Sequence, residues 1–212
     1  MSFDPSADPG SQKSIEWLME RCGKVTASRF GAVLAKLKNG TPAKPRQDYL
    51  WEVVIERLTG HPTVHYVSAA MERGTEMEPL ARMAYEAATG RMVAETGFHS
   101  HPEIEGVGGS PDGLIDDDGG IEIKCPFNSA IHLQTWLNGM PDEHMPQIQG
   151  CMWITGRKWW DFVSYDDRMP ERQSLYVQRI LRDTSYAICL EAEIRIFLKE
   201  VDELLGRIKE RA

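Results

Sequence analysis

Apolar residues recur at spacings of three and four along several stretches of this chain and alternate with polar ones along others, so the pattern alone separates helices from strands. Ser14 precedes IEWLMER, a first short helix. Thr26 or Ser28 can cap a second, through Lys38, with Phe30, Val33, Leu34 and Leu37 on one face and Asn39-Gly40 as its stop. A third is predicted from Gln47 to Thr59, striped by Leu50, Val53, Val54 and Leu58 and closed by Gly60. A fourth runs from Thr75 to Thr89, with Leu80, Met83, Ala84 and Ala87 inward and Gly90 at its end. Then the texture changes. Arg91 to His101 and Gly106 to Ile115 read as strands, Asp116 to Gly120 as a hairpin loop and Ile121 to Lys124 as a short alternating strand. Helices follow over Ser129–Asn138 and His144–Thr155, strands over Trp159–Tyr165 and Ser174–Ile180, and last a long amphipathic helix carrying Tyr186, Leu190, Ile194, Phe197, Val201, Leu204 and Ile208.

This order predicts an α/β fold, a single domain over 1–212 with a central mixed sheet of about five strands flanked by helices. Residues 1–13 are expected to be a flexible start. With 212 residues, 42% of them hydrophobic and 26% charged, the chain can build a globular core. It has no stretch of about 18 apolar residues and no signal-peptide pattern, so a membrane span and secretion are both unexpected. Its four cysteines are far apart and form no C-x-x-C pair, which points to reduced thiols in a cytosol. The charge changes the picture more. Twenty-four basic against 32 acidic residues give −8, a poor balance for generic binding to nucleic acid. Any polyanion must find a local positive surface; Lys36 to Arg46, with four basic residues and no acid, is one candidate, and a solvated loop is the equally good alternative.

Candidate chemistry gathers in SPDGLIDDDGGIEIKCP, Ser110 to Pro126. On a strand, Ile121 and Ile123 face one way while Glu122 and Lys124 share the other side. A hairpin closed by the acidic loop brings Asp112 near Glu122. Two carboxylates beside one lysine suit a hard divalent cation and need no cysteine or histidine. The alternative is equally physical: Pro111-Asp112-Gly113 is an ordinary turn tripeptide, and Glu122 and Lys124 can be a solvated pair. Glu78 is a third acid, on the fourth helix, with Glu76 as its competitor; Thr75-x-x-Glu78 also has capping-box spacing. Asp116 to Asp118 are expected to form a solvated turn.

Ser110-Pro111-Asp112-Gly113, followed by Glu122-Ile123-Lys124-Cys125-Pro126-Phe127, resembles the PD-(D/E)XK nuclease superfamily, in particular the phage lambda exonuclease and viral alkaline exonuclease family. WLMERCGKVTASRF upstream, and MPQIQGCMWITG and SYDDRM downstream, extend the likeness over most of the chain. A short PD…ExK match arises easily by chance; this ordered company makes it specific.

The resemblance implies that Asp112, Glu122 and Glu78 are metal ligands with the Ile123 carbonyl, that Lys124 is the catalytic lysine, and that Gln147 completes the site, with Gln149 as the alternative register. It assigns Arg21 to the 5′-phosphate of the degraded strand, assisted by Ser28 and Thr26; from the residues alone, Arg21 pairing with Glu16 or Glu20 is the preferred reading. Where the lambda enzyme has an arginine this chain has Ala130, a departure from the family's phosphate grip that another basic residue could make good. The implied activity is a Mg2+-dependent 5′-to-3′ exonuclease on linear double-stranded DNA with a 5′-phosphorylated end. It would use two ions, with Mn2+ as a substitute, release 5′-mononucleotides and leave a 3′ overhang for phage recombination. A ring-shaped homotrimer, a single-strand annealing protein as partner and the cytoplasm of a bacterial host, from a phage or prophage gene, are implied in the same way. The rivals are a related endonuclease or RecB-like nuclease of other polarity, and a non-catalytic DNA-end-binding protein.

Overall fold

The computed structural model describes residues 14–63 and 66–211, so the expected flexible start over 1–13 lies outside the described residues. Helix α1 (Ile15–Arg21) begins as its cap requires: the Ser14 hydroxyl accepts from Trp17 N at 3.1 Å. The long helix expected through Lys38 does not form. Val25–Thr26 is instead strand β1, followed by a 3-10 turn at Ala27–Arg29 and a single helical turn α2, Phe30–Val33. Tertiary pairing wins over local pattern here, because β1 lies parallel to Val107–Gly108 and Thr26 N donates to the Tyr49 hydroxyl at 3.0 Å. Neither Thr26 nor Ser28 caps a helix with its hydroxyl. Phe30 and Val33 are buried as the stripe demands, while Leu37 stays exposed.

Helix α3 (Lys44–Thr59) starts three residues earlier than its pattern suggests, with Pro45 accommodated in the first turn, where its missing N–H costs nothing. Helix α4 (Ala69–Thr89) is likewise longer and is capped by Ser68. Its inward residues are Ala81 and Tyr85, one position round from the predicted stripe; Leu80 and Met83 face outward.

The stretch 91–115 breaks into four short strands shared between two sheets: β2 (Val93–Ala94), β3 (His99–Ser100), β4 (Val107–Gly109) and β5 (Gly113–Ile115). A small sheet runs β1-β4-β3. The main sheet runs β2-β5-β6-β7-β8, where β6 is Gly119–Lys124, β7 Trp159–Tyr165 and β8 Leu175–Leu181. Strands β6 and β7 are parallel and the other pairs antiparallel, so the expected five-stranded mixed sheet is present and the small sheet is the addition. Between β6 and β7 come α5 (Ser129–Asn138) and α6 (Met145–Thr155); α8 (Thr184–Lys209) follows β8. A one-turn helix, α7 (Glu171–Ser174), precedes β8.

Helix α4 covers one face of the sheet, where Ala81 and Tyr85 pack with Ile115, Ile121, Ile123 and Val163. The larger core lies on the other face, where Trp160 and Phe162 meet Ile148, Met152, Leu190 and Ile194 from α6 and α8. The double glycine opening β6 has a packing reason. A Cβ at Gly119 would stand 2.0 Å from the Trp159 ring and one at Gly120 2.3 Å from Trp160. Among the described residues no helix is long and apolar enough to cross a membrane.

Candidate active site

The β5–β6 hairpin pairs Gly113 with Ile121 and Ile115 with Gly119, and one more step of that register sets Asp112 opposite Glu122. The Asp112 carboxylate accepts the Ile123 N–H at 2.7 Å, which pins it to the strand. Asp116 to Asp118 lie at the far end of the hairpin, where Asp116 pairs with Arg91 and Asp118 accepts from Lys158 and the Trp159 indole. They form the expected turn and take no part in the site.

Strand alternation acts as the sequence predicts. Ile121 and Ile123 are buried beneath α4, and Glu122 and Lys124 share the opposite side with their side chains 2.5 Å apart. Glu122 is not solvated, however: it is completely buried, because α6 and its neighbours cover that face as well, while Lys124 keeps 33% of its side chain exposed. Lys124 satisfies Glu122 Oε1, while Glu122 Oε2 is buried with no hydrogen-bond partner. Burial first, and the Asp112 charge second, push the Glu122 carboxyl up to about 7 against the pull of Lys124. Although burial alone would lower the Lys124 ammonium, the charges of Glu122 and Asp112 outweigh it and raise its pKa, the reverse of the lowering that neighbouring cations would cause.

Glu78 is not a capping-box residue. Thr75 lies well inside α4 and its hydroxyl donates to the Met71 carbonyl at 3.0 Å. Glu76 is exposed and Glu78 half-buried. Because α4 lies on the isoleucine face, Glu78 acts on Glu122 from across the sheet end; its charge is one of those raising the Glu122 pKa. Arg82, one turn on, holds the Glu78 carboxylate at 3.2 Å. Gln149 is buried and committed elsewhere: it donates to the Leu181 carbonyl and accepts from Asp183 N, both at 2.9 Å. Half-buried Gln147 is the other glutamine of α6.

The residues fit a hard divalent cation as a partial donor set. Among the described residues, no three His, Cys, Asp or Glu side chains stand close enough to enclose a metal alone. Magnesium does not require that, since it is typically held through one or two carboxylates with waters and substrate phosphates filling the rest. A buried carboxylate oxygen lacking any donor is the unmet demand that such an ion would satisfy.

Arg21 is placed differently from its predicted surface pairing. Among the described residues it meets no carboxylate; its guanidinium lies 4.3 Å over the Trp17 ring and donates to Ser110 at 3.0 Å, Ser28 at 3.2 Å and Thr26 at 3.4 Å. The 3-10 turn that replaced the predicted helix is what turns Thr26 and Ser28 toward it. Burial lowers its pKa, though an arginine keeps its charge. Three of the four basic residues of the Lys36–Arg46 segment are paired with acids. Lys36 is paired with Glu193, Lys44 with Asp48, and buried Arg46 with Glu200 through two hydrogen bonds of 2.7 and 2.9 Å.

Several residues escaped the sequence reading. Asp166, one past β7 and wholly buried, ties the site's elements together: it binds Arg73 of α4 at 3.3 Å and Arg168 at 2.7 Å. Arg168 in turn donates to the carbonyls of Pro126 and Phe127, directly after Lys124, and stands beside the helix that carries Ala130. His144 stacks on Phe162, the β7 partner of Glu122, with ring centroids 5.2 Å apart. Burial, then the Lys124 charge, lower its pKa to about 4, so the imidazole is neutral at ordinary pH. Two thiols near the site are inert for a similar reason: burial pushes Cys125 up to about 12 and Cys151 well above its ordinary value.

The family model described as a YqaJ-like viral recombinase domain matches residues 16–158. The fold is similar to an alkaline exonuclease, LHK-Exo, from Laribacter hongkongensis, with a TM-score of 0.85, 45% identity and coverage of 92% of this chain and 96% of that one. The same enzyme solved in complex with dAMP gives a TM-score of 0.86 at the same identity and coverage. A phage related exonuclease from Haemophilus somnus 129PT, 18% identical over 87% of this chain and 96% of its own, shares the fold with a TM-score of 0.67. No curated protein matches the sequence significantly. The chain thus belongs to the YqaJ-like viral recombinase family and carries the fold of an alkaline exonuclease.

Proposed function

We propose that this protein is a Mg2+-dependent exonuclease that degrades one strand of linear duplex DNA from a 5′-phosphorylated end, 5′ to 3′, releasing 5′-mononucleotides. The observation that carries the reading is the Asp112–Glu122–Lys124 assembly with its buried, undonated Glu122 oxygen, on the same chain connection as Ser110, which holds an Arg21 that pairs with no carboxylate among the described residues. Similarity to an alkaline exonuclease, one form of which was solved with dAMP, supports the same direction.

Asp112, Glu122, Glu78 and the Ile123 carbonyl would hold one or two divalent ions, with Mn2+ able to replace Mg2+. When bound, such ions supply a water acidic enough to attack phosphorus and neutralise charge on the phosphoryl and leaving oxygens. Lys124, charged and fixed by Glu122, orients the attacking water and stabilises the developing charge. Gln147 completes the wall on the α6 side. Arg21 offers a planar fork to the terminal phosphate, with the Thr26 and Ser28 hydroxyls beside it; a terminal phosphate carries more charge than an internal diester, which favours 5′-phosphorylated ends. Arg168, which donates to the carbonyls of Pro126 and Phe127 just before the Ala130 helix, is a candidate for the role of the missing family arginine.

A homotrimeric ring around the duplex would reconcile the −8 charge with DNA binding by keeping the positive surface inside, and would hand the 3′ strand to a phage annealing protein in the host cytoplasm. Sedimentation as a monomer at working concentrations would remove the ring. The activity itself is tested by digesting matched linear duplexes with 5′-phosphate or 5′-hydroxyl ends and a closed circle. Rapid release of mononucleotides from the phosphorylated end alone is expected, and equal digestion of the circle would make the protein an endonuclease.

A further inference from the structure

Glu78 sits at a weak point of its helix. Pro79, the next residue, lies inside α4 and has no N–H to give the Thr75 carbonyl, so the helix is not stiff there by its own bonding. Tertiary contacts hold it at two points that bracket Glu78, and both are made to acids of one stretch of chain. On the C-terminal side the Tyr85 hydroxyl donates to Asp161 of β7 at 2.7 Å. On the N-terminal side Arg73 reaches Asp166, one residue past the end of β7, at 3.3 Å, and the exposed Asp167 as well. The spans agree: Asp161 to Asp166 covers about 17 Å of extended chain, and Arg73 to Tyr85 about 18 Å of helix. Strand β7 thus acts as a ruler laid against α4.

Asp166 also holds the exit of β6. Its wholly buried carboxylate accepts the Arg168 backbone N–H at 3.1 Å, Nε at 2.7 Å and Nη2 at 2.9 Å. The same guanidinium donates to the Pro126 and Phe127 carbonyls at 3.1 and 3.0 Å, just beyond Lys124. Burial alone would raise the Asp166 pKa, but hydrogen bonds from Arg168 and Ser129 outweigh it and hold the carboxyl well below the usual carboxylate range. The Cys125 thiol lies between the groups so joined, since the charges of Glu78, Arg73, Asp112 and Lys124 all act on it. A buried ion pair is a poor source of stability, because desolvation offsets much of the attraction; an arginine fork, however, fixes direction as well as distance. Arg73 Nε, buried with no hydrogen-bond partner among the described residues, marks a network not arranged for stability alone. We propose that Asp166 is a positioning residue: through Arg73 and Arg168 it sets Glu78 of α4 against the Asp112–Glu122 pair of the hairpin, and so governs how tightly the site holds divalent ions. This rests on the metal-dependent reading above. A purely structural Asp166 would lower the melting temperature without changing the demand for metal where the variant is folded.

The test uses the full chain and three variants of it, Asp166→Asn, Glu78→Gln and the two combined. Mn2+ bound without DNA is read by electron paramagnetic resonance, and melting is recorded alongside. Asp166→Asn is expected to weaken Mn2+ binding about tenfold, the usual effect of removing a group that orients a ligand. Half-saturating Mg2+ for nucleotide release should rise by the same factor, with KM for DNA ends unchanged. The double variant is expected to bind Mn2+ no more weakly than Glu78→Gln alone, because without Glu78 the aspartate has nothing left to position. Should Asp166→Asn fail to fold, Arg73→Gln, which leaves Asp166 paired with Arg168, takes its place in the same cycle. Unchanged Mn2+ binding in the folded Asp166 or Arg73 variant, or losses that simply add in the double variant, overturn the proposal. Absence of Mn2+ binding in the unaltered protein, or binding indifferent to Glu78→Gln, overturns the metal assignment of Glu78 itself, and this proposal with it.

Discussion

At the hairpin, Asp112 and Glu122 set two carboxylates against one ammonium and leave Glu122 Oε2 without a donor, whereas Arg21, across the Ser110–Asp112 joint, lies among hydroxyls and an indole and forms no ion pair among the described residues, with Glu56 the acid whose charge reaches it. One region has surplus negative charge around a dry carboxylate; the other has a positive one with no ion-pair partner among the described residues. Each is unsatisfied alone, and the two demands are opposite. A protein selected only for stability would have let Arg21 and Glu122 neutralise other groups, as Arg46 and Glu200 do. The contrast is what a substrate made of phosphate and divalent cation would complete.

The largest predicted effect breaks the negative half. Asp112→Asn or Glu122→Gln is expected to lower nucleotide release by on the order of 10³-fold, measured as acid-soluble product, while binding to phosphorylated ends persists through Arg21. Lys124→Ala follows, with a loss of about 10²-fold or more in single-turnover rate and little change in end binding.

Stability should respond in the opposite sense. Glu122 binds its proton more tightly folded, near pH 7, than unfolded, near 4.5, so its contribution to stability is complete below about pH 4.5 and is lost as pH rises through 7. Metal-free Glu122→Gln is therefore expected to be more stable than the parent at pH 8, by on the order of 3 kcal/mol, and equal to it near pH 4.5, in urea titrations. Activity at limiting Mg2+ should rise through about pH 7 as this carboxyl ionises, and the midpoint should move to lower pH as Mg2+ is raised.

The positive half gives a smaller effect. Arg21→Ala is expected to raise KM for phosphorylated ends about tenfold to a hundredfold and to leave hydroxyl ends nearly unchanged. Smallest of all, Lys44→Ala should leave both DNA affinity and stability within about 0.5 kcal/mol, because Lys44 is an exposed partner of Asp48.

What could be read from the sequence follows the range of the forces involved. Strand alternation at Ile121–Lys124, the helix over Ser129–Asn138 and the strand at Trp159–Tyr165 depend on local periodicity, and all three form as predicted. The proximity of Asp112 to Glu122 was also legible, since a short hairpin fixes it. The second helix was misread because Val25–Thr26 pairs with a strand some eighty residues away, a contact no local pattern reveals. Burial of Glu122 was hidden for the same reason: the alternation gives the face, and only tertiary packing says that the face is dry. Trp17 and Ser110 are 93 residues apart, so no local pattern marks them as partners. Asp166 lies directly after β7, and of its two arginine partners Arg168 is close in the chain while Arg73 comes from α4, a contact no local pattern reveals.

The most direct test of the central claim is an anomalous diffraction map from crystals of the full chain saturated with Mn2+. A peak between Asp112 and the undonated oxygen of Glu122 is the predicted result. A map with no manganese at that position would contradict the account.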